Sequence, residues 1–187
     1  MKIIPTDIEG VVILEPKIFP DDRGYFSVTY TAKDFAEQVA DMTFVQDNQS
    51  ASKYGVIRGL HYQLPPFAQA KLVRAVAGRV LDVAVDIRQG SPTFGKHVAV
   101  ELSEDNHRQL FIPEGFAHGF SVLSERAVLQ YKCNAYYAPT HEGGIAFDDP
   151  KLNIDWGIPA DKAIISDKDR QHPGIGDARL FMYDKVK

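Results

Sequence analysis

"KLVRAVAGRVLDVAVDIR", residues 71–88, is the stretch that decides the fold class. Apolar and polar side chains alternate on both sides of Gly78. That period of two is what a half-buried strand requires, and with a glycine at its centre the stretch predicts two antiparallel strands joined by a tight turn. Leu81, Val83, Val85 and Ile87 share one face of the second strand. Downstream, "HVAVELS" (97–103) repeats the alternation before a Glu104-Asp105-Asn106 turn, and "RQLFIP" and "FSVLSERAVLQYKC" follow, each bounded by Gly, Pro or polar clusters. Many short strands with regular turn signals indicate an all-β antiparallel sandwich or barrel rather than a doubly wound sheet. One stretch reads as helix, "TAKDFAEQVA" (31–40), with Thr31 as N-cap, Asp34 three residues on, and Phe35 and Val39 on one face. The tail after about residue 148, with several prolines and glycines, is expected to wrap the outside as irregular structure and short helices.

A chain of 187 residues accommodates one sizeable core, so a single domain spanning 1–187 is expected. The formal net charge of −4, with Lys and Arg dispersed, excludes the basic block that marks a nucleic-acid or anionic-membrane binder. The single cysteine, Cys133, excludes an internal disulfide and suits a reducing compartment as a small buried hydrophobe. No secretory signal and no run of 18 apolar residues is present, which leads to the expectation of a cytoplasmic protein.

Upstream of the deciding stretch, "VIRGLHYQLPPFAQAK" (56–71) concentrates Arg58, His61 and Lys71 where a sheet face should be. Strand alternation places His61 and Gln63 on the interior face, opposite Leu60 and Tyr62. An imidazole there is costly unless bonded, and a cluster of cations inside a barrel calls for an anion to receive it. Metal-binding double-sheet barrels present histidines at i and i+2 with a nearby glutamate. Here i+2 is Gln63, no glutamate follows until Glu101, and His118 alone makes a weak set, so no metal and no cofactor is expected. Without one, a histidine can serve as general base, a fixed cation can stabilise an oxyanion, and a phenol such as Tyr131 can return a proton. A base needs an orienting group, and "ISDKDR" (165–170) offers Asp167 and Asp169, although by composition it is also a solvated charged turn.

Taken together, "FPDDRGYF" (19–26), "FVQDNQS" (44–50), "GVIRGLHYQ" (55–63), "QAKLVR" (69–74), "IPEGFAHGF" (112–120), "QYKCNAYY" (130–137), "HEGGIAFDDPKLNIDW" (141–156) and "ISDKD" (165–169) resemble the dTDP-4-dehydrorhamnose 3,5-epimerases of nucleotide-sugar biosynthesis. The resemblance runs in order through nearly the whole chain. It implies a cupin-type double-stranded β-helix, or jelly roll, with a few short peripheral helices. It further implies His61 as the base at C3 and C5 of a 4-keto sugar, Asp169 as its orienting carboxylate with Asp167 the alternative, and Tyr131 as the acid on the other face. Lys71 and Arg58 would stabilise the enolate. Substrate contacts are implied for Arg23, Phe26, Gln46, Asp47 and Asn48, and for His118, Tyr137, Glu142 and Lys168, besides Arg58 and Lys71. A homodimer is implied too, with an N-terminal strand of one subunit bordering the other's pocket, so that Arg23 and Phe26 act across the interface. Val28 stands where the family commonly has glutamate.

Three other readings stay open on sequence: a single-centre epimerase or ketoisomerase on a related dTDP-4-keto-6-deoxy sugar, a metal-dependent cupin oxygenase, and a non-catalytic sugar-nucleotide binding module.

Overall fold

The structure, a computed structural model, describes residues 1–183. Its strands and α-helices are β1 (Lys2–Pro5), β2 (Val12–Glu15), β3 (Ile18–Asp21), β4 (Gly24–Ser27), α1 (Ala32–Gln38), β5 (Gln46–Lys53), β6 (Ile57–Gln63), β7 (Lys71–Ala77) and β8 (Arg79–Asp86). They continue as β9 (Arg88–Gln89), β10 (His97–Ser103), β11 (Gln109–Ile112), β12 (Phe116–Val122), β13 (Arg126–Cys133), β14 (Glu142–Gly144), α2 (Asp167–Arg170) and β15 (Phe181–Met182). Two antiparallel sheets face one another, one of six strands in the order β1-β2-β11-β7-β13-β5 and one of five in the order β10-β8-β12-β6-β14. This is the all-β jelly roll that the alternation and the motifs lead to. Among the described residues no helix is long and apolar enough to cross a membrane.

The stretch 71–88 forms two strands, as expected, but not a hairpin. Strand β7 pairs with β11 and β13, whereas β8 pairs with β10 and β12 in the opposite sheet. Gly78 is therefore a corner where the chain changes sheets. Its φ is +69°, and a Cβ there would stand 2.0 Å from the carbonyl oxygen of Arg126, so only glycine fits. The corner is held by the Gly78 N–H on Glu104 Oε1 (2.9 Å) and the Arg79 N–H on Ser124 Oγ (2.8 Å). Alternation reports that a strand has two unlike faces; it does not say which strand lies alongside.

Val73, Ala75, Val80, Ala84, Leu110 and Leu129 fill the space between the sheets. The face of β8 that carries Leu81, Val83 and Val85, continued by Ile87 just past the strand, points the other way. It packs under the segment after β14, against Ile145, Leu152, Trp156, Ile165 and Ile175. Burying each such aliphatic side chain stabilises the fold by about 1.5–3 kcal/mol, so the irregular tail is a second core layer. On the far side of the six-stranded sheet, Phe35 of α1 packs edge-on against Phe44 and Phe111. This packing, not the cap, holds α1: Thr31 makes no side-chain capping bond and the helix ends at Gln38.

Strand β6 is irregular at the place that matters most. His61 lies opposite His118 and Arg58 opposite Phe120, so three steps on β6 match two on β12. The extra residue is a β-bulge, which resets which side chains face inward. Gly59 makes it possible, since with φ +131° a Cβ would lie 2.6 Å from Gly119 Cα. Arg58 and His61, on opposite faces of a regular strand, thus both border the same cavity, Arg58 from its solvent-exposed side.

Candidate active site

The interior opens into a cavity of about 360 Å³. Arg58, His61 and Gln63 of β6, Lys71 of β7, His118 of β12 and Tyr131 of β13 form its floor and walls, and Gln46 and Asn48 of β5 with Tyr137 and Glu142 form the rest. Nine of the residues singled out from sequence, counting Arg58, His61, Lys71, His118, Tyr131, Gln46, Asn48, Tyr137 and Glu142, therefore share one space.

His61 Nε2 is 2.7 Å from Asp169 Oδ1, across 108 residues of chain. With Nε2 engaged, Nδ1 is the ring nitrogen left for chemistry. Asp169 is buried at 4% exposure, on α2, whose N-cap Ser166 accepts the Asp169 N–H at 3.1 Å. Its second oxygen accepts the Gly59 N–H at 3.2 Å. Burial pushes the Asp169 carboxyl up, but the bonds from His61 and Gly59 outweigh it and hold the group below the usual carboxylate range, charged. Of the two candidate aspartates, it is Asp169 and not Asp167 that meets the imidazole.

Lys71 is 8% exposed, and among the described residues no carboxylate forms an ion pair with its ammonium. Burial lowers its pKa, with Cys133, Asp82 and Glu142 drawing it back up. A desolvated cation beside an open cavity is poised for an anion. Its Nζ lies 5.9 Å from the Tyr131 ring centroid. Burial raises the Tyr131 phenol above its ordinary range, so it stays protonated and able to donate.

The sequence reading missed Asp82. It is fully buried on β8 and lies 2.9 Å from His118 Nε2, giving the cavity a second histidine–carboxylate pair. Burial holds His118 below its ordinary range despite that carboxylate, so the ring is neutral near pH 7. The signal was present as an acid on a strand whose neighbours are all aliphatic; the inner face of a barrel strand can be polar where it meets a cavity.

Gln63 is fully committed to protein. Its Nε2 donates to the carbonyls of Phe67 (2.7 Å) and Tyr136 (3.2 Å), and its Oε1 accepts the Ala138 N–H (2.8 Å). These bonds fix the loop that carries Tyr137, whose N–H reaches Gln46 Oε1 at 3.1 Å and whose hydroxyl donates to Glu142 at 3.1 Å. Lys168 does not line this cavity but closes its edge by donating to Glu142 at 2.7 Å. Burial raises the Glu142 carboxyl, and the bonds from Lys168 and Tyr137 overcome this and lower it.

Three expected contacts lie elsewhere. Asp47 faces away from the cavity and pairs with Lys132 at 3.0 Å, because alternation along β5 puts it opposite Gln46 and Asn48. Arg23 and Phe26 sit on the β3–β4 hairpin and do not reach the cavity of their own chain; Arg23 pairs with Asp21, and Phe26 is 66% exposed. His61, Asp169 and His172 are the one group of metal-ligand spacing among the described residues, all within 4.8 Å, and its shortest edge is the His61–Asp169 hydrogen bond itself.

Comparison with known proteins agrees with this geometry. The sequence model of the dTDP-4-dehydrorhamnose 3,5-epimerase family matches residues 5–177. A dTDP-4-dehydrorhamnose 3,5-epimerase of Shigella flexneri is 53% identical over 183 residues, covering 97% of this chain and 100% of that protein. The dTDP-6-deoxy-D-glucose-3,5-epimerase of Legionella pneumophila, solved in complex with dTDP-4-keto-L-rhamnose, superposes with a TM-score of 0.94 at 48% identity over 98% of each chain. A 3'-monoepimerase of Streptomyces bikiniensis, solved with dTDP-quinovose, gives a TM-score of 0.86 at 34% identity over 92% of this chain and 87% of that one.

Proposed function

The chain belongs to the dTDP-4-dehydrorhamnose 3,5-epimerase family, and from that premise we propose that it converts dTDP-4-dehydro-6-deoxy-D-glucose to dTDP-4-dehydro-L-rhamnose. His61 Nδ1 removes the proton from the carbon next to the C4 ketone. The C–H pair becomes the enolate double bond, and the carbonyl pair moves onto O4 as negative charge. Lys71 and Arg58 stand where that oxyanion develops; a charge gained beside a desolvated ammonium is strongly stabilised and returns Lys71 toward its ordinary range. The Tyr131 phenol then delivers a proton to the opposite face, the enolate collapses to the ketone, and solvent restores both side chains. Repetition at the second carbon completes the double inversion.

The observation that carries this reading is a base backed by a buried carboxylate at 2.7 Å that shares a cavity with a protonated phenol and a desolvated ammonium. Diphosphate and nucleotide would lie toward Gln46, Asn48, Tyr137 and Glu142 at the cavity's edge. Arg23 and Phe26, which project from a hairpin away from their own cavity, favour a homodimer in which they reach the partner's nucleotide. The buried free thiol of Cys133 suits the cytoplasm.

Turnover of dTDP-4-dehydro-6-deoxy-D-glucose in deuterium oxide tests the roles. The wild type is expected to place deuterium at both C3 and C5, and His61→Asn at neither. Tyr131→Phe is expected to wash deuterium in slowly without inversion. Label at C3 alone in the wild type would refute the double epimerisation in favour of the single-centre activity named for the Streptomyces bikiniensis relative. Unimpaired inversion by Tyr131→Phe would remove the phenol from the mechanism.

A further inference from the structure

We propose that His172 is a positioning residue for the base, a ring that braces the flank of His61 so that its hydrogen bond to Asp169 and its cavity-facing nitrogen stay aligned; this rests on His61 being the base.

An imidazole has no sharp preference about its last torsion, so its plane is set by contacts. Asp169 fixes one edge of His61. The flank is met by His172, with ring centroids 5.5 Å apart and planes at 78°. The same ring reaches the carboxylate, its Nε2 lying 3.6 Å from Asp169 Oδ1, just beyond hydrogen-bond range. That nitrogen is sealed from solvent and has no hydrogen-bond partner among the described residues. A buried polar atom without a partner costs free energy, so hydrogen bonding through that nitrogen does not account for a histidine at this place.

The neighbouring strand makes room for it. Gly144 of β14 lies directly opposite His61 of β6. A Cβ on Gly144 would meet His172 Cε1 at 2.3 Å. The His172 ring thus occupies the place that a side chain of β14 would take beside the base, and the glycine keeps that place open. The charged and titratable groups that act on His172 among the described residues belong to the same assembly: His61 on β6, Asp169 and Lys168 on α2, and Glu142 on β14. Burial first, and the nearby His61, hold His172 below the ordinary histidine range, so it braces as a neutral ring and does not take the carboxylate for itself.

The test measures kcat and KM with a coupled reductase, together with the low-field proton resonance of the His61–Asp169 hydrogen bond, in His172→Ala, His172→Phe, Gly144→Ala and the Gly144→Ala/His172→Ala pair. Misplacement of a reacting group by about 1 Å costs roughly 100-fold, so His172→Ala and Gly144→Ala should each lower kcat by about 10- to 100-fold. KM should stay within about twofold, and His172→Phe, which keeps the brace, should hold kcat within about fivefold. The low-field proton should broaden away in the alanine variants and persist in the phenylalanine one. Because both alanine changes act through one ring, the double variant should be no worse than the worse single. Full kcat and an intact proton signal in His172→Ala, or losses that multiply in the double variant, would overturn the proposal. Should His172→Ala not fold, Gly144→Ala decides by the same two readouts. His61→Asn is the control: turnover there removes the base itself, whereas an inactive His61→Asn beside a fully active His172→Ala removes only the brace.

Discussion

Replacing Asp169 by asparagine separates orientation from charge at the base. The carboxylate accepts from two donors, His61 Nε2 at 2.7 Å and the Gly59 N–H at 3.2 Å. An amide of the same shape has one oxygen to offer. If that oxygen keeps the Gly59 N–H, the amide NH2 faces His61 Nε2, the imidazole shifts its proton to Nδ1, and the nitrogen facing the cavity can no longer accept one. If the amide turns over, the base keeps its tautomer, but the NH2 confronts the Gly59 N–H, an unsatisfied contact worth about 1–3 kcal/mol. Either way the imidazolium formed on proton abstraction loses its counter-charge. The corresponding change in a serine protease lowers kcat about 10⁴-fold through the wrong tautomer. Here a loss of about 10³- to 10⁴-fold is expected, equivalent to about 4–5.5 kcal/mol at 1.36 kcal/mol per decade. Deuterium wash-in at C3 and C5, followed by NMR, reads the proton-abstraction step directly, and KM reports whether substrate still binds. Exchange within about tenfold of wild type would refute the tautomer reasoning.

Lys71→Met should lower kcat by about 10²- to 10³-fold, yet leave the melting temperature unchanged or raised, because it removes a desolvated ammonium along with the oxyanion's partner; a lower melting temperature would contradict the burial argument. Gly78→Ala should destabilise by at least about 3 kcal/mol in urea unfolding, since its Cβ would strike backbone at 2.0 Å in a left-handed conformation. Stability should fall as pH drops below about 6.5, where the unfolded chain gains protons that the folded state refuses at His118, His97 and His172, all held low chiefly by burial. Each contributes at most about 1.4 kcal/mol per pH unit, and its share is absent above that window. His118→Gln should flatten the slope in urea titrations between about pH 5 and 7.5, and an unchanged slope would show that the imidazole is protonated in the fold.

Strand positions were legible because a half-buried strand writes its period into the chain, and β10 coincides with "HVAVELS" residue for residue. Pairing was not, since β7 and β8 alternate equally well as a hairpin or as two walls of a barrel. Alternation also gave the correct faces for His61 and Gln63, yet it could not foresee that one inserted residue brings the exposed Arg58 to the border of the same cavity. The motif resemblance led to Asp169, which no local pattern distinguishes from Asp167. It assigned Asp47 to the substrate, whereas the period of two already set that residue apart from Gln46 and Asn48. Asp82 and His172 escaped notice for a shared reason. Each acquires its meaning from a neighbour far along the chain, 36 residues away in the first case, and a lone acid or imidazole carries no local mark of that partnership.

The outer layer laid over the five-stranded sheet after β14 does two jobs with one docking event: its aliphatic side chains seal the back of the barrel, and its short helix hands a carboxylate to a histidine 108 positions earlier. A barrel whose closing segment has yet to settle therefore possesses the pocket but holds an unaimed base. Turnover then becomes a gauge of assembly, silent in half-made or partly opened molecules, and a reactive keto sugar meets working chemistry only in copies that have finished closing.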